Sequence, residues 1–151
     1  MIKIICIGKI KEDFYKKAIE EYVKRIGKYT KLEIVELKDY DKININDILK
    51  KEGVSILKNI KDRDYVITME IEGVKLDSIG LSEKINGIYN TNFNIVFVIG
   101  GSYGISDLVK QRANYHLSFS SLTFPHQLFR VILLEQIYRS FKIINNETYH
   151  K

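Results

Sequence analysis

Cysteine is nearly absent from this chain of 151 residues: there is one, Cys6. No internal disulfide can form, which excludes the disulfide-scaffolded secreted domains. A reducing compartment fits, and the cytoplasm is the expected location. Histidine is scarce as well. One cysteine and three scattered histidines do not make a structural zinc site, so no metal is expected. No apolar run approaches the roughly 20 residues that span a bilayer, and no membrane partner is expected. The opening Met1-Ile2-Lys3-Ile4-Ile5-Cys6-Ile7-Gly8 is too short and too quickly charged for a signal peptide. It reads as a buried first strand in which Cys6 is a small hydrophobe. Proline occurs once, at Pro125. There is no linker, internal repeat or low-complexity segment.

What is present is ordinary for a globular protein. Apolar residues make up 45% and charged residues 28%, and the apolar ones recur along the whole length, which argues against disorder. The length suits one domain, 1–151, with a real core. The net charge of +5 permits a nucleic-acid partner without demanding one.

Short apolar runs alternate with helical patterns. Strands are expected at Ile2–Ile7, Leu32–Leu37, Tyr65–Ile71, Ile95–Ile99 and Tyr115–Phe119, with Glu72-Gly73 a turn after the third. The first helix, Glu12–Tyr29, carries Tyr15, Ala18, Ile19, Tyr22, Ile26 and Tyr29 on one stripe. Its outer Lys16, Lys17, Lys24, Arg25 and Lys28 are either a solvated face or an RNA-facing one. Asn44 or Asn46 caps a second helix running to Ile60, weakened by Gly53. Helices follow around Ile79–Tyr89, Ser106–Ala113 and Gln127–Ile144. Five βα repeats predict an α/β fold: a mainly parallel sheet of five to six strands with helices on both faces.

Function concentrates in the last third. Ile99-Gly100-Gly101-Ser102-Tyr103-Gly104 lies between a buried strand and a helix. It is neither a P-loop nor G-x-G-x-x-G. So many glycines nonetheless suggest a backbone edge open to a ligand. Ser118–His126 interleaves hydroxyls with Phe119, Leu122 and Phe124. Such a segment either lines a slot for a flat base or caps the final helix. A hydrolase built on Ser120 or Ser121 with His126 lacks both a nucleophile elbow and an acidic partner. The final helix is apolar around nearly its whole circumference, so a second subunit is expected to cover it. Arg130 stands inside that apolar run and needs an ion-pair partner or a ligand. The closing Tyr149-His150-Lys151 reads, on pattern alone, as a loose end.

Taken in order, Phe97–Gly104, Leu117–Gln127, Arg130–Arg139 and Tyr149-His150-Lys151 resemble the RlmH-type ribosomal RNA large-subunit methyltransferases of the SPOUT superfamily. The resemblance covers the full length and is strongest after Ile95. It implies a SPOUT-like sheet whose C-terminal segment threads a trefoil knot, a rare exception to unthreaded topology. It also implies a homodimer, S-adenosylmethionine as cofactor, and methylation of N3 of pseudouridine 1915 in 23S ribosomal RNA within the ribosome. The family's cofactor positions fall on Gly100 and on Phe119, Ser120, Ser121, Leu122, Thr123 and Phe124. A further one, usually leucine, is Met69 here, a change of similar volume. Ser102 stands where relatives often have proline.

The reaction must remove the N3 proton. The resemblance makes His150 the candidate base with Tyr149 beside it, on a tail that orders when RNA binds or reaches across the dimer. Arg130 either holds a phosphate or the uracil carbonyls, or is a structural ion pair. The rival reading is a non-catalytic RNA- or nucleotide-binding module on the same fold.

Overall fold

The computed structural model describes residues 1–91 and 93–151. Its elements are β1 (Ile2–Ile7), α1 (Asp13–Ile26), β2 (Leu32–Leu37), α2 (Ile45–Lys58), β3 (Tyr65–Lys75), α3 (Ser78–Tyr89), β4 (Ile95–Ile99), α4 (Asp107–Arg112), β5 (Tyr115–Ser118) and α5 (His126–Ile144). The five strands form one sheet in the order β2-β1-β4-β3-β5, and every pairing in it is parallel. Among the described residues there is no sixth strand.

The runs of β1 and β4 are fully buried because helices cover both faces. Ile2, Ile4, Cys6, Ile95, Phe97 and Ile99 meet Ile26 of α1, Ile85 of α3 and Leu133, Leu134 and Ile137 of α5. The alternate residues Ile5, Ile7, Val96 and Val98 meet Ile56 of α2 and Val109 of α4. Strand alternation thus sorts α1, α3 and α5 onto one face and α2 and α4 onto the other. Burial pushes the Cys6 thiol up to about 11, which leaves it an inert part of the core.

Helix starts follow their caps. Asn44, rather than Asn46, caps α2 and accepts from Asp47 N at 2.9 Å. Asp77 accepts from Gly80 N at 2.7 Å at the start of α3. The apolar stripe of α1 lies on α5; the helix ends at Ile26 rather than at Tyr29, and Tyr29, just beyond it, stacks on Phe141 with ring centroids 5.6 Å apart. Among the described residues no helix is long and apolar enough to cross a membrane.

The third strand corrects the sequence reading. It does not end at Ile71; it continues through Glu72 and Gly73 to Lys75. Its register against β5 shifts between Met69 and Val74, a bulge of the kind that re-aims side chains near sites. Gly73 is required there by close approach, since a Cβ would sit 2.8 Å from the backbone of His116 and of Leu117. Ser118 ties the strands together by donating to Ile71 O at 2.8 Å. Gly73→Ala is expected to prise β5 from β3 and cost about 1–3 kcal/mol, the range for overpacking, read as a lower urea midpoint.

Candidate active site

The sheet's carboxyl ends carry the site, as in other open α/β sheets. Three neighbouring strands, β4, β3 and β5, each end in an unusual segment. After β4 the chain makes the glycine turn, closed by Gly104 N donating to Gly101 O at 3.1 Å. Gly104 has φ +87°, in the left-handed region that favours glycine. Ser106 then accepts from Val109 N at 3.4 Å and starts α4.

The turn is supported from behind by α2. Glu52 is buried against Gly101, where a Cβ would lie 2.9 Å from its carboxylate. Burial raises the Glu52 carboxyl above its ordinary value, outweighing the hydrogen bond from Tyr40 N. Gly53 admits Ser106, whose Oγ a Cβ at that position would strike. A glycine inside a helical run, which propensity treats as a weakness, is here the contact that lets α2 approach the turn.

The opposite wall is the segment after β5. Phe119 and Phe124 flank Phe129 of α5, with ring centroids 5.5 and 6.2 Å away. The hydroxyls of this loop do not cap α5: its N-cap is Pro125, with no side-chain cap bond. Instead Ser120 Oγ accepts from Leu122 N at 3.0 Å, and Ser121 Oγ accepts from Lys75 Nζ at 2.6 Å. These bonds give the loop its own shape.

Between the walls lies a cleft of about 510 Å³. Met69, Gly100, Phe119, Ser120, Leu122, Thr123 and Phe124 all line it. Ser121 is outside the lining. Ile99, Ile105 and Leu117 make the floor apolar. The polar lining includes Glu70, Lys110 and Glu72; the sequence places Glu72 only in a turn and gives the other two no role. A carboxylate within an otherwise apolar strand end, Met69-Glu70-Ile71, was the available signal.

Glu70 is held firmly. Thr68 Oγ1 donates to it at 2.6 Å, His116 Nδ1 bonds the same oxygen, and Lys110 Nζ lies 3.5 Å from the other. Burial opposes its ionisation, but these hydrogen bonds and positive charges prevail and hold the carboxyl below its ordinary value.

Arg130 and the tail lie elsewhere. Arg130 is 3% exposed. Its Nη1 donates to Glu36 Oε2 at 2.6 Å and its Nη2 to Gly8 O at 3.1 Å. Its Nε is buried without a partner among the described residues. Gln127, one turn earlier, accepts from Lys11 N at 2.9 Å. The start of α5 thereby holds the segment after β1. Tyr149 donates to Glu135 Oε1 at 3.2 Å and packs edge-on against Tyr138. Burial, then the Glu135 charge, raise its hydroxyl above the ordinary value, so it is a donor at neutral pH. His150 Nδ1 lies 3.1 Å from Arg139 Nη1, which donates to it. Arg130, Tyr149 and His150 are all absent from the cleft lining of their own chain.

Comparison with known proteins agrees with this architecture. A family model described as "Predicted SPOUT methyltransferase" matches residues 1–150. A protein of Caldicellulosiruptor saccharolyticus named ribosomal RNA large subunit methyltransferase H is 49% identical, with 100% of each chain covered. One of the same name from Clostridium botulinum is 52% identical over 99% of each. A putative one from Methanococcus vannielii is also 52% identical over 99% of each. Among solved structures, a probable methylase family protein from Haemophilus influenzae superposes with TM-score 0.57 at 16% identity, covering 99% of this chain and 70% of its own. At that identity the likeness speaks for the fold alone. The chain belongs to the SPOUT methyltransferases and, within them, to the RlmH type.

Proposed function

We propose that this protein uses S-adenosylmethionine to methylate N3 of pseudouridine 1915 in 23S ribosomal RNA. It acts on assembled ribosomes in the cytoplasm, as a homodimer of single-domain subunits, 1–151, whose C-terminal segment is knotted. One observation carries the reading: a single cleft gathers Met69 at the β3 bulge, Gly100 after β4, and Phe119, Ser120, Leu122, Thr123 and Phe124 after β5. These are the positions at which the family places its cofactor. The residues fit that group. Apolar walls suit adenine, and the absence of a side chain at Gly100 lets the turn through Gly104 and Ile105 fold closely against it to form one of those walls. When bound, S-adenosylmethionine supplies an electrophilic methyl group; the chain's share is to hold and orient the reacting partners.

The half-buried Leu128, Val131 and Ile132 on α5 support pairing, because a two-fold contact removes such surface from water. Pairing also offers the tail a second destination, the partner's cleft, since its own cleft does not contain it. As a base, His150 takes the N3 proton. With Nδ1 accepting from Arg139, the neutral ring carries its hydrogen on Nε2. Release from Arg139 on binding RNA frees Nδ1 for that proton.

Isothermal titration with S-adenosylmethionine is the first test, and no heat at millimolar cofactor removes the reading. Mass-spectrometric mapping of rRNA is the second. A strain without the protein should lack the methyl group at position 1915. The full chain should restore it, and a chain lacking Tyr149–Lys151 should bind cofactor yet fail to restore it. Cofactor binding with no missing modification would favour the non-catalytic module.

A further inference from the structure

The polar end of the cleft has no role in what precedes. Glu70, on β3, and Lys110, on α4, both line it and face each other at 3.5 Å. The two are not equivalent. The Glu70 side chain is only 16% exposed, and its Oε2 is bonded by Thr68 and His116. Its Oε1 has the long contact to Lys110 alone, so it retains acceptor capacity. The Lys110 side chain is 42% exposed, which puts its ammonium at the mouth. The floor, by contrast, is Ile99, Ile105 and Leu117.

A cleft with an apolar floor, a fixed carboxylate and a mobile ammonium beside it matches a ligand with a flat apolar end and a zwitterionic one. From this geometry we infer that Glu70 and Lys110 form the subsite for the α-amino acid end of the cofactor. Glu70 accepts from the ammonium, and Lys110 swings from Glu70 to the carboxylate. This rests on the proposal that the cleft takes S-adenosylmethionine. The exchange replaces one long ion pair with two charge-assisted hydrogen bonds. Thr68 and His116 fix the carboxylate beforehand, so little ordering is left for binding to do. A ribose diol needs an acceptor but has no use for the neighbouring ammonium, which favours the amino acid.

The test is isothermal titration of the full chain with three probes: S-adenosylmethionine, S-adenosylhomocysteine, and 5′-methylthioadenosine, which lacks the amino acid. Glu70→Gln and Lys110→Gln should each weaken the first two about tenfold or more, as expected for one charge-assisted contact. Binding of 5′-methylthioadenosine should stay within about twofold. Equal weakening of all three probes would overturn the assignment in favour of a nucleoside contact or a purely structural pair. Unchanged affinity for all three would overturn it too. Lys110→Gln alters an exposed side chain and keeps the test open if Glu70→Gln folds poorly. If the unsubstituted chain binds none of the probes, the cofactor reading itself fails. If it binds them and the variants do not discriminate, only this subsite fails.

Discussion

Gly100→Ala is expected to lose cofactor affinity together with stability. The added Cβ would lie 2.5 Å from Gly104 O and 2.8 Å from both Gly104 C and Ile105 Cγ1. Two of those atoms are backbone, so no side-chain rotation relieves the clash. The turn must open, and Gly104 and Ile105, both on the cleft wall, move with it. Overpacking of this kind costs about 1–3 kcal/mol. Where the strain falls on the binding surface, that corresponds to roughly ten- to hundredfold in dissociation constant. The turn leaves the carboxyl end of the central strand β4, and the same cost corresponds to a fall of roughly 2–12 °C in melting temperature. Gly100→Arg, which forces the same turn further apart, should abolish binding. Titration calorimetry beside thermal melts separates the two effects, and unchanged affinity in Gly100→Ala would show that this turn is not a cofactor wall.

The second large effect is expected at Arg130, in stability rather than in binding. Arg130→Met removes the partner of Glu36 and leaves Gly8 O without its donor. Breaking a buried ion pair costs 3–5 kcal/mol in general. Here the Glu36 side chain, 36% exposed, can rehydrate, which sets the expectation near the lower end, about 3 kcal/mol. For a chain of this size that is a fall of roughly 6–12 °C in Tm. Cofactor affinity should remain within a few fold, because Arg130 is outside the cleft lining. Adding Glu36→Gln should recover part of the loss, since the unpaired charge is then gone. An unchanged Tm together with lost methylation would assign Arg130 to the RNA instead.

These two positions differ in how far the sequence could reach them. Gly100 was legible, because glycine between a buried strand and a helix has a local meaning. Arg130 was legible only as a charge in need of a partner. Its partner Glu36 is 94 positions away, and no local pattern connects them. The same division holds for the fold. The parallel sheet and five βα units follow from period and order. The face taken by each helix does not, because β1 and β4 are apolar throughout and show no alternation to read. Glu72-Gly73 was misread because glycine after a polar residue ordinarily turns the chain; the cause lies across the bulge, in the backbone of β5. Glu70 escaped notice because its neighbours His116 and Lys110 come from other elements.

The edge position of β5 has a consequence for biosynthesis. Translation completes β1 to β4 before it reaches Tyr115, and until then β3 presents an open edge of backbone donors and acceptors. Such an edge invites pairing with other chains. The cleft's second wall, its Phe129 backing and the α5 clamp on Gly8 all arrive after that edge is covered. A ribosome-bound fragment ending before β5 therefore has the glycine turn but no site, and any ligand that requires both walls stabilises only the finished chain. Covering the edge of β3 and supplying the cleft's second wall are thus one event, since both are done by the segment that begins at Tyr115.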